Sequence, residues 1–320
     1  MDRRGFLVTA GLAWFATGRQ FSWAADARRI VLATADLESR LVAVDLASGA
    51  IVGHVPTVAY PRSIETVGNT AVVAHSEVGR VSLIDGNTLR ITHVLAGFGE
   101  PRYTAAHPDG RHAFVTDARR GELVAIDVRT GSVLAREPVG ALARHVSINR
   151  TGDLVWTALG SKAEQIAIVD VSTPARPRLL KRIRPPFLAH DVAWTPDGEH
   201  VWVSAGAGRA LLIYSARGRV VARLPADAPP QHITFDRETA FVTSGLSGTF
   251  RRHSLDGRRL SLTRVPEGSY NVQYADGRVV TPALGGGSLC ILDQAGTLLH
   301  RDQVANSSHD ACILTSTARS

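Results

Sequence analysis

HAFVTDARRGELVAIDVRTGSVLAREPVG, from His112 to Gly140, carries the pattern that decides the fold. An apolar strand is followed by a polar turn and a second apolar strand ending at Asp127. Another turn and a third strand follow, and then a polar pair, Arg144-His145, leads into a fourth strand. The same pattern recurs on either side. Strands of the first kind read IVLATA (Ile30–Ala35), AVVAHS (Ala71–Ser76), LVWTAL (Leu154–Leu159), HVWVSA (His200–Ala205), TAFVTS (Thr239–Ser244) and RVVTPA (Arg278–Ala283). Strands of the second kind end at Asp45, Asp85, Asp127, Asp170, Ser215, Ser254 and Asp293, at steps of 40, 42, 43, 45, 39 and 39 residues.

A period of about 40–45 residues with four short strands per unit is the signature of a β-propeller. The strands are β-branched and aromatic and are bounded by turns such as Pro108-Asp109-Gly110 and Pro196-Asp197-Gly198. Near-continuous apolar runs suit sheets covered on both faces. The two ends of the pattern also match. The first unit opens at Ile30 without an inner partner, and the last ends on a spare strand, His309 to Leu314. Pairing these two would complete a blade and remove the open edges that an unclosed sheet exposes. An open solenoid or a two-domain sandwich leaves those matched ends unexplained. The expected fold is therefore an all-β, seven-bladed β-propeller with four-stranded blades, closed by the C-terminal strand pairing with the N-terminal strands.

The His112–Gly140 unit resembles the repeat of YVTN-type propellers, a group similar in blade pattern to the haem-d1 domain of cytochrome cd1-type nitrite reductases. The resemblance runs from about Arg29 to Thr315 and is sharpest in this unit and its neighbours. It implies the fold more than a function, since these relatives include haem-d1 binders, lyases, lactonases and proteins without known activity.

Residues 1–24 read as an export signal. Arg3-Arg4 precede Phe6-Leu7 and a short apolar run to Ala16, and Ser22-Trp23-Ala24 places small residues at a cleavage point. The paired arginines resemble the twin-arginine type. The run is too short to cross a bilayer, so the expectation is a periplasmic protein, not membrane-spanning, whose propeller occupies residues 25–320.

Cleavage after Ala24 removes Arg3, Arg4, Arg19 and Asp2 from 36 basic and 29 acidic residues, leaving a net charge of +5. The basic residues are dispersed arginines with only two lysines, Lys162 and Lys181, so no nucleic-acid partner is expected. Cys290 and Cys312 lie in apolar strands, where buried thiols and a disulfide are both open readings. The absence of CxxC, CxxCH and zinc-type cysteine spacing argues against covalent c-type haem and thiolate-bound zinc. GxSxG, HExxH and EF-hand patterns are absent too.

The functional signal lies in the pairs that lead into the innermost strands. They are Arg62-Ser63, Arg102-Tyr103, Arg144-His145, His190-Asp191, Gln231-His232, Tyr270-Asn271 and His309-Asp310. The second member is commonly Gly in the YVTN-type repeat, and this chain departs from that in every blade. In a closed propeller these pairs surround one mouth of the central channel. Arg62, Arg102 and Arg144 can form an anion site, because the planar guanidinium fork fits carboxylate or phosphate. Pairing with Glu65, Glu100 or Asp117 is the structural alternative.

Of twelve histidines, four fall in these 14 positions, where random placement would put fewer than one. His145, His190, His232 and His309, joined by His75 at a strand end, can bind a transition metal or haem iron, or exchange protons. The candidate ligand-binding set is completed by Tyr103, Asp191, Tyr270 and Asp310. His190, His232 and His309 are the metal candidates, and His190 and His309 the catalytic candidates. The leading expectation is a small-molecule or cofactor binder whose channel mouth takes an anionic molecule, a metal ion or a haem-d1-like tetrapyrrole. A lyase or lactonase using a channel histidine, and a scaffold for a protein partner, are the alternatives.

Overall fold

The computed structural model describes residues 27–226 and 228–317. The export signal expected over residues 1–24 lies outside them. Twenty-eight strands, numbered in chain order from β1 (Arg28–Ala35) to β28 (Ala311–Ser316), form seven four-stranded antiparallel sheets. The innermost strands are β4 (Pro61–Val67), β8 (Pro101–Ala106), β12 (Ala143–Ile148), β16 (Val192–Trp194), β20 (Ile233–Phe235), β24 (Gln273–Ala275) and β28. Each touches the next around the ring, and β28 touches β4, so the circle is closed. The described residues include only two short 3-10 turns, Ser76–Val78 and Gly245–Ser247.

The closing blade joins the two ends of the chain. β28 pairs with β1 from Arg28↔Ser316 to Ala33↔Ala311, and β2 (Arg40–Asp45) and β3 (Ile51–Pro56) complete the sheet. The matched ends of the sequence pattern are thus one hydrogen-bonded pair.

The Asp residues that mark the period are turn caps. Asp45 accepts the Ser48 N–H at 2.8 Å, Asp85 that of Thr88 at 2.9 Å, Asp127 that of Arg129 at 2.9 Å and Asp170 that of Ser172 at 3.0 Å. A short side chain that folds onto its own backbone ends the strand and starts the turn. In every blade the pairing of the two outermost strands slips by one residue, as at Ala125/Ile126 and Ile168/Val169. Such bulges add twist, which a blade needs in order to pack against its neighbours.

Seven apolar clusters fill the seven gaps between adjacent blades. Trp156 lies in the gap between the fourth and fifth blades and Trp202 in the next, both fully buried. Truncating either to Ala would cost on the order of 3–5 kcal/mol. Cys290 and Cys312 are free, buried thiols in different gaps.

Candidate functional site

The seven second members of the leading pairs, Ser63, Tyr103, His145, Asp191, His232, Asn271 and Asp310, all line one central cavity of about 390 Å³. The first members stand outside that lining. In the second, third and fourth blades the pair sits where the register shifts, between Pro61 and Ser63, Pro101 and Thr104, and Ala143 and Val146. In the other blades it precedes the innermost strand.

Hydroxyls from the neighbouring blade hold the backbone of these pairs. Thr116 Oγ1 donates to the Arg144 carbonyl at 2.6 Å and Ser204 Oγ to the Gln231 carbonyl at 2.6 Å, while Thr243 Oγ1 donates to the Tyr270 carbonyl. The two His-Asp dipeptides add a second clamp. Asp191 accepts its own strand's Val192 N–H and, across the blade gap, the Ile233 N–H, both at 2.9 Å. Asp310 does the same with Ala311 at 2.9 Å and Ile64 at 3.1 Å. Burial raises the Asp191 carboxyl to about 7 and the Asp310 carboxyl well above its usual range, against the pull of these N–H donors.

His145, His190 and His232 converge. Their nitrogen ligand atoms lie within 4.8 Å of one another. Ring centroids are 4.3 Å apart for His145–His190, 4.8 Å for His145–His232 and 5.2 Å for His190–His232. His190 Nδ1 donates to the Ser161 carbonyl at 2.8 Å, which leaves Nε2 as the free lone pair. Its ring fits because residue 206 is glycine: a Cβ there would meet the His190 Cβ at 2.6 Å. His232 Nδ1 lies 3.7 Å from Asp191 Oδ2. His145 is 1% exposed, and neither ring nitrogen has a hydrogen-bond partner.

Burial keeps all three imidazoles neutral. It pushes His190 down to about 4, and drives His145 and His232 further below the ordinary value with help from neighbouring histidines and Arg144. Neutral imidazole is the form that binds metal.

His309 is close by but outside the triad. Its ring centroid is 6.3 Å from that of Tyr103, and its Nδ1 is 2.8 Å from the Arg62 carbonyl and 3.1 Å from Asn271 Nδ2. The Tyr103 ring lies 4.4 Å from that of His145, tilted by 34°. The arginines border the same cluster. Arg62 pairs with Asp36 at 3.1 Å and Arg102 with Glu100. Arg144 lies over the Tyr103 ring at 5.9 Å. The arginines and the histidines thus share one mouth.

Two candidates stand elsewhere. His75 is fully buried, with Nδ1 3.1 Å from the Ala59 carbonyl and Nε2 2.9 Å from Ser82 Oγ; both nitrogens serve the blade. Tyr270 covers Gly245, where a Cβ would fall 2.4 Å from its ring. Sequence reading missed Asp36, the Ser161 carbonyl and Gly206. None of the three left a mark of its own: Gly160 and Gly245 follow the same strand in two other blades, so Gly206 does not stand out.

The sequence matches no family model and no curated protein. The likeness is one of fold. Among solved structures, a functionally unknown protein from Desulfotomaculum acetoxidans DSM 771 has a TM-score of 0.78 at 12% identity, covering 89% of this chain and 98% of that one. Apo AztD from Citrobacter koseri has a TM-score of 0.69 at 11% identity, covering 90% and 98%. Dihydro-heme d1 dehydrogenase NirN in complex with DHE has a TM-score of 0.63 at 17% identity, covering 86% of this chain and 63% of that chain. The fold expected from the His112–Gly140 repeat, a propeller like the haem-d1 type, is the fold found. No helix among the described residues is long and apolar enough to cross a membrane.

Proposed function

We propose that this propeller binds a transition-metal ion at its channel mouth through His145, His190 and His232. The observation that carries the reading is His145, which is buried and has two unpartnered ring nitrogens against two other neutral imidazoles. An unsatisfied buried polar group costs about 1–3 kcal/mol, and a metal ion would relieve that cost. Imidazole suits zinc, copper, nickel or iron, whereas calcium and magnesium favour oxygen donors. Three protein ligands leave a further position for an exogenous group.

A tetrapyrrole is the second reading, supported by the structural likeness to the NirN–DHE complex and by the arginines beside Tyr103. One histidine would hold the metal of the macrocycle, and the arginines would hold its acidic groups. The Arg3-Arg4 leader supports a periplasmic location, reached by the twin-arginine route.

Metal analysis and an absorption spectrum of natively expressed protein test both readings. One equivalent of metal without a Soret-type band, lost in His145→Ala, fits the metal reading. A Soret-type band fits the second. Metal-free, colourless protein that takes up neither ligand on titration would sink both.

A further inference from the structure

Charge at the mouth does not balance. Three arginines border the histidines, and carboxylates answer two of them, Asp36 for Arg62 and Glu100 for Arg102. Asp191 and Asp310 are each committed to two backbone N–H groups and line the cavity. Arg144 has no ion pair among the described residues, and its buried Nε has no hydrogen-bond partner. Its guanidinium lies over Tyr103, whose ring centroid is 4.4 Å from that of His145.

A divalent ion on three neutral imidazoles keeps its full charge. Beside an unpaired guanidinium in a partly desolvated mouth, that arrangement is strained by repulsion. An anion touching both would remove the repulsion, and the arginine fork fits a carboxylate or a tetrahedral oxyanion. We propose that the metal centre takes a small oxyanion as its exogenous ligand, bridged to Arg144. The inference rests on the metal reading above and supplies the chemical class of what the metal presents or carries.

The test uses the Co2+-loaded protein, whose visible bands report the metal's ligands, with acetate and phosphate titrated separately. The expected result is a saturable band shift with at least one anion, and the tighter one tells a carboxylate source from an inorganic one. Arg144→Gln should weaken that anion about 10- to 100-fold, the loss of a charge-assisted contact. In anion-free buffer the same variant should hold Co2+ at least as tightly as wild type, because a repelling charge is gone. A merely structural arginine would give the opposite. Arg178→Gln, on an outer strand with its side chain 71% exposed, controls for net charge and should leave the anion affinity unchanged. Bands unmoved by both anions, or an Arg144→Gln protein with wild-type anion affinity, would overturn the inference while leaving the metal reading intact. If Co2+ does not bind, the metal reading fails and takes the inference with it.

Discussion

Asp191 reaches out of the fifth blade and ends 3.7 Å from Nδ1 of His232, which belongs to the sixth. The same carboxylate oxygen accepts the Ile233 N–H at 2.9 Å. One side chain therefore fixes the distance between two blades and the direction in which an imidazole presents its lone pair. The carboxylate favours the proton on Nδ1, leaving Nε2 for a metal.

Asp191→Asn removes the carboxylate's charge. An amide oxygen in the place of Oδ2 can still accept the Ile233 N–H while the N–H2 faces Val192, so the fold should survive with a modest loss of stability. The neutral amide no longer favours the proton on His232 Nδ1, which frees the tautomer that caps Nε2 with hydrogen. Metal affinity should fall about 10- to 100-fold, read by calorimetric titration. Unchanged affinity would remove Asp191 from the site.

His145→Phe should separate stability from binding. An apolar ring of similar size replaces an imidazole whose two nitrogens are unsatisfied. The metal-free variant should be as stable as wild type or more stable, by up to about 1–3 kcal/mol. It should also lose the rise in melting temperature that metal gives the parent protein. A large destabilisation would mean that His145 has a structural partner after all.

Gly206→Ala tests space at the mouth without touching a ligand. No left-handed backbone is required there, so glycine is needed for room alone. The added methyl should push His190 away from Ser161 and cut metal affinity at least tenfold, with a near-normal melting temperature. Wild-type affinity would show that the ring can shift at no cost.

Glu65 gives a pH-dependent prediction inside the channel. It accepts a hydrogen bond from Gln273 Nε2 at 2.9 Å and is among the residues lining the central cavity. Burial pushes its carboxyl up to about 7. A carboxyl raised on folding carries no penalty below its unfolded value near 4.5 and its full penalty above its folded value. Wild type should therefore lose stability, relative to Glu65→Gln, as pH rises from 4.5 to 7. The gap should widen by on the order of 1–3 kcal/mol and then level off, measured by denaturant unfolding at several pH values. A gap independent of pH would place the charge in open water.

The repeat was readable because its scaffold residues do local work. Asp127 caps its own turn, and the two middle strands of each blade are buried by their neighbours, so period and apolarity appear directly in the sequence. The leading pairs were readable for the opposite reason, since side chains stand where the repeat favours glycine. Which pair members meet was not readable. His145 and His232 are second members and His190 a first, and their convergence depends on the twist at the mouth. Asp36 meets Arg62 across a gap between blades, and Ser161 serves His190 through its carbonyl, which is present whatever the residue. Contacts between blades and contacts from backbone leave no mark at a fixed spacing.

β28 has a consequence for biosynthesis. Asp310, at its start, clamps Ile64, and His309 holds the Arg62 carbonyl. Residues translated almost 250 positions apart must be present together before the mouth has its full wall. A nascent chain lacking residues 309–316 would have made every other element of the mouth and still could not hold it in place. Occupancy of the proposed site would then report that β28 has been made and has paired with β1.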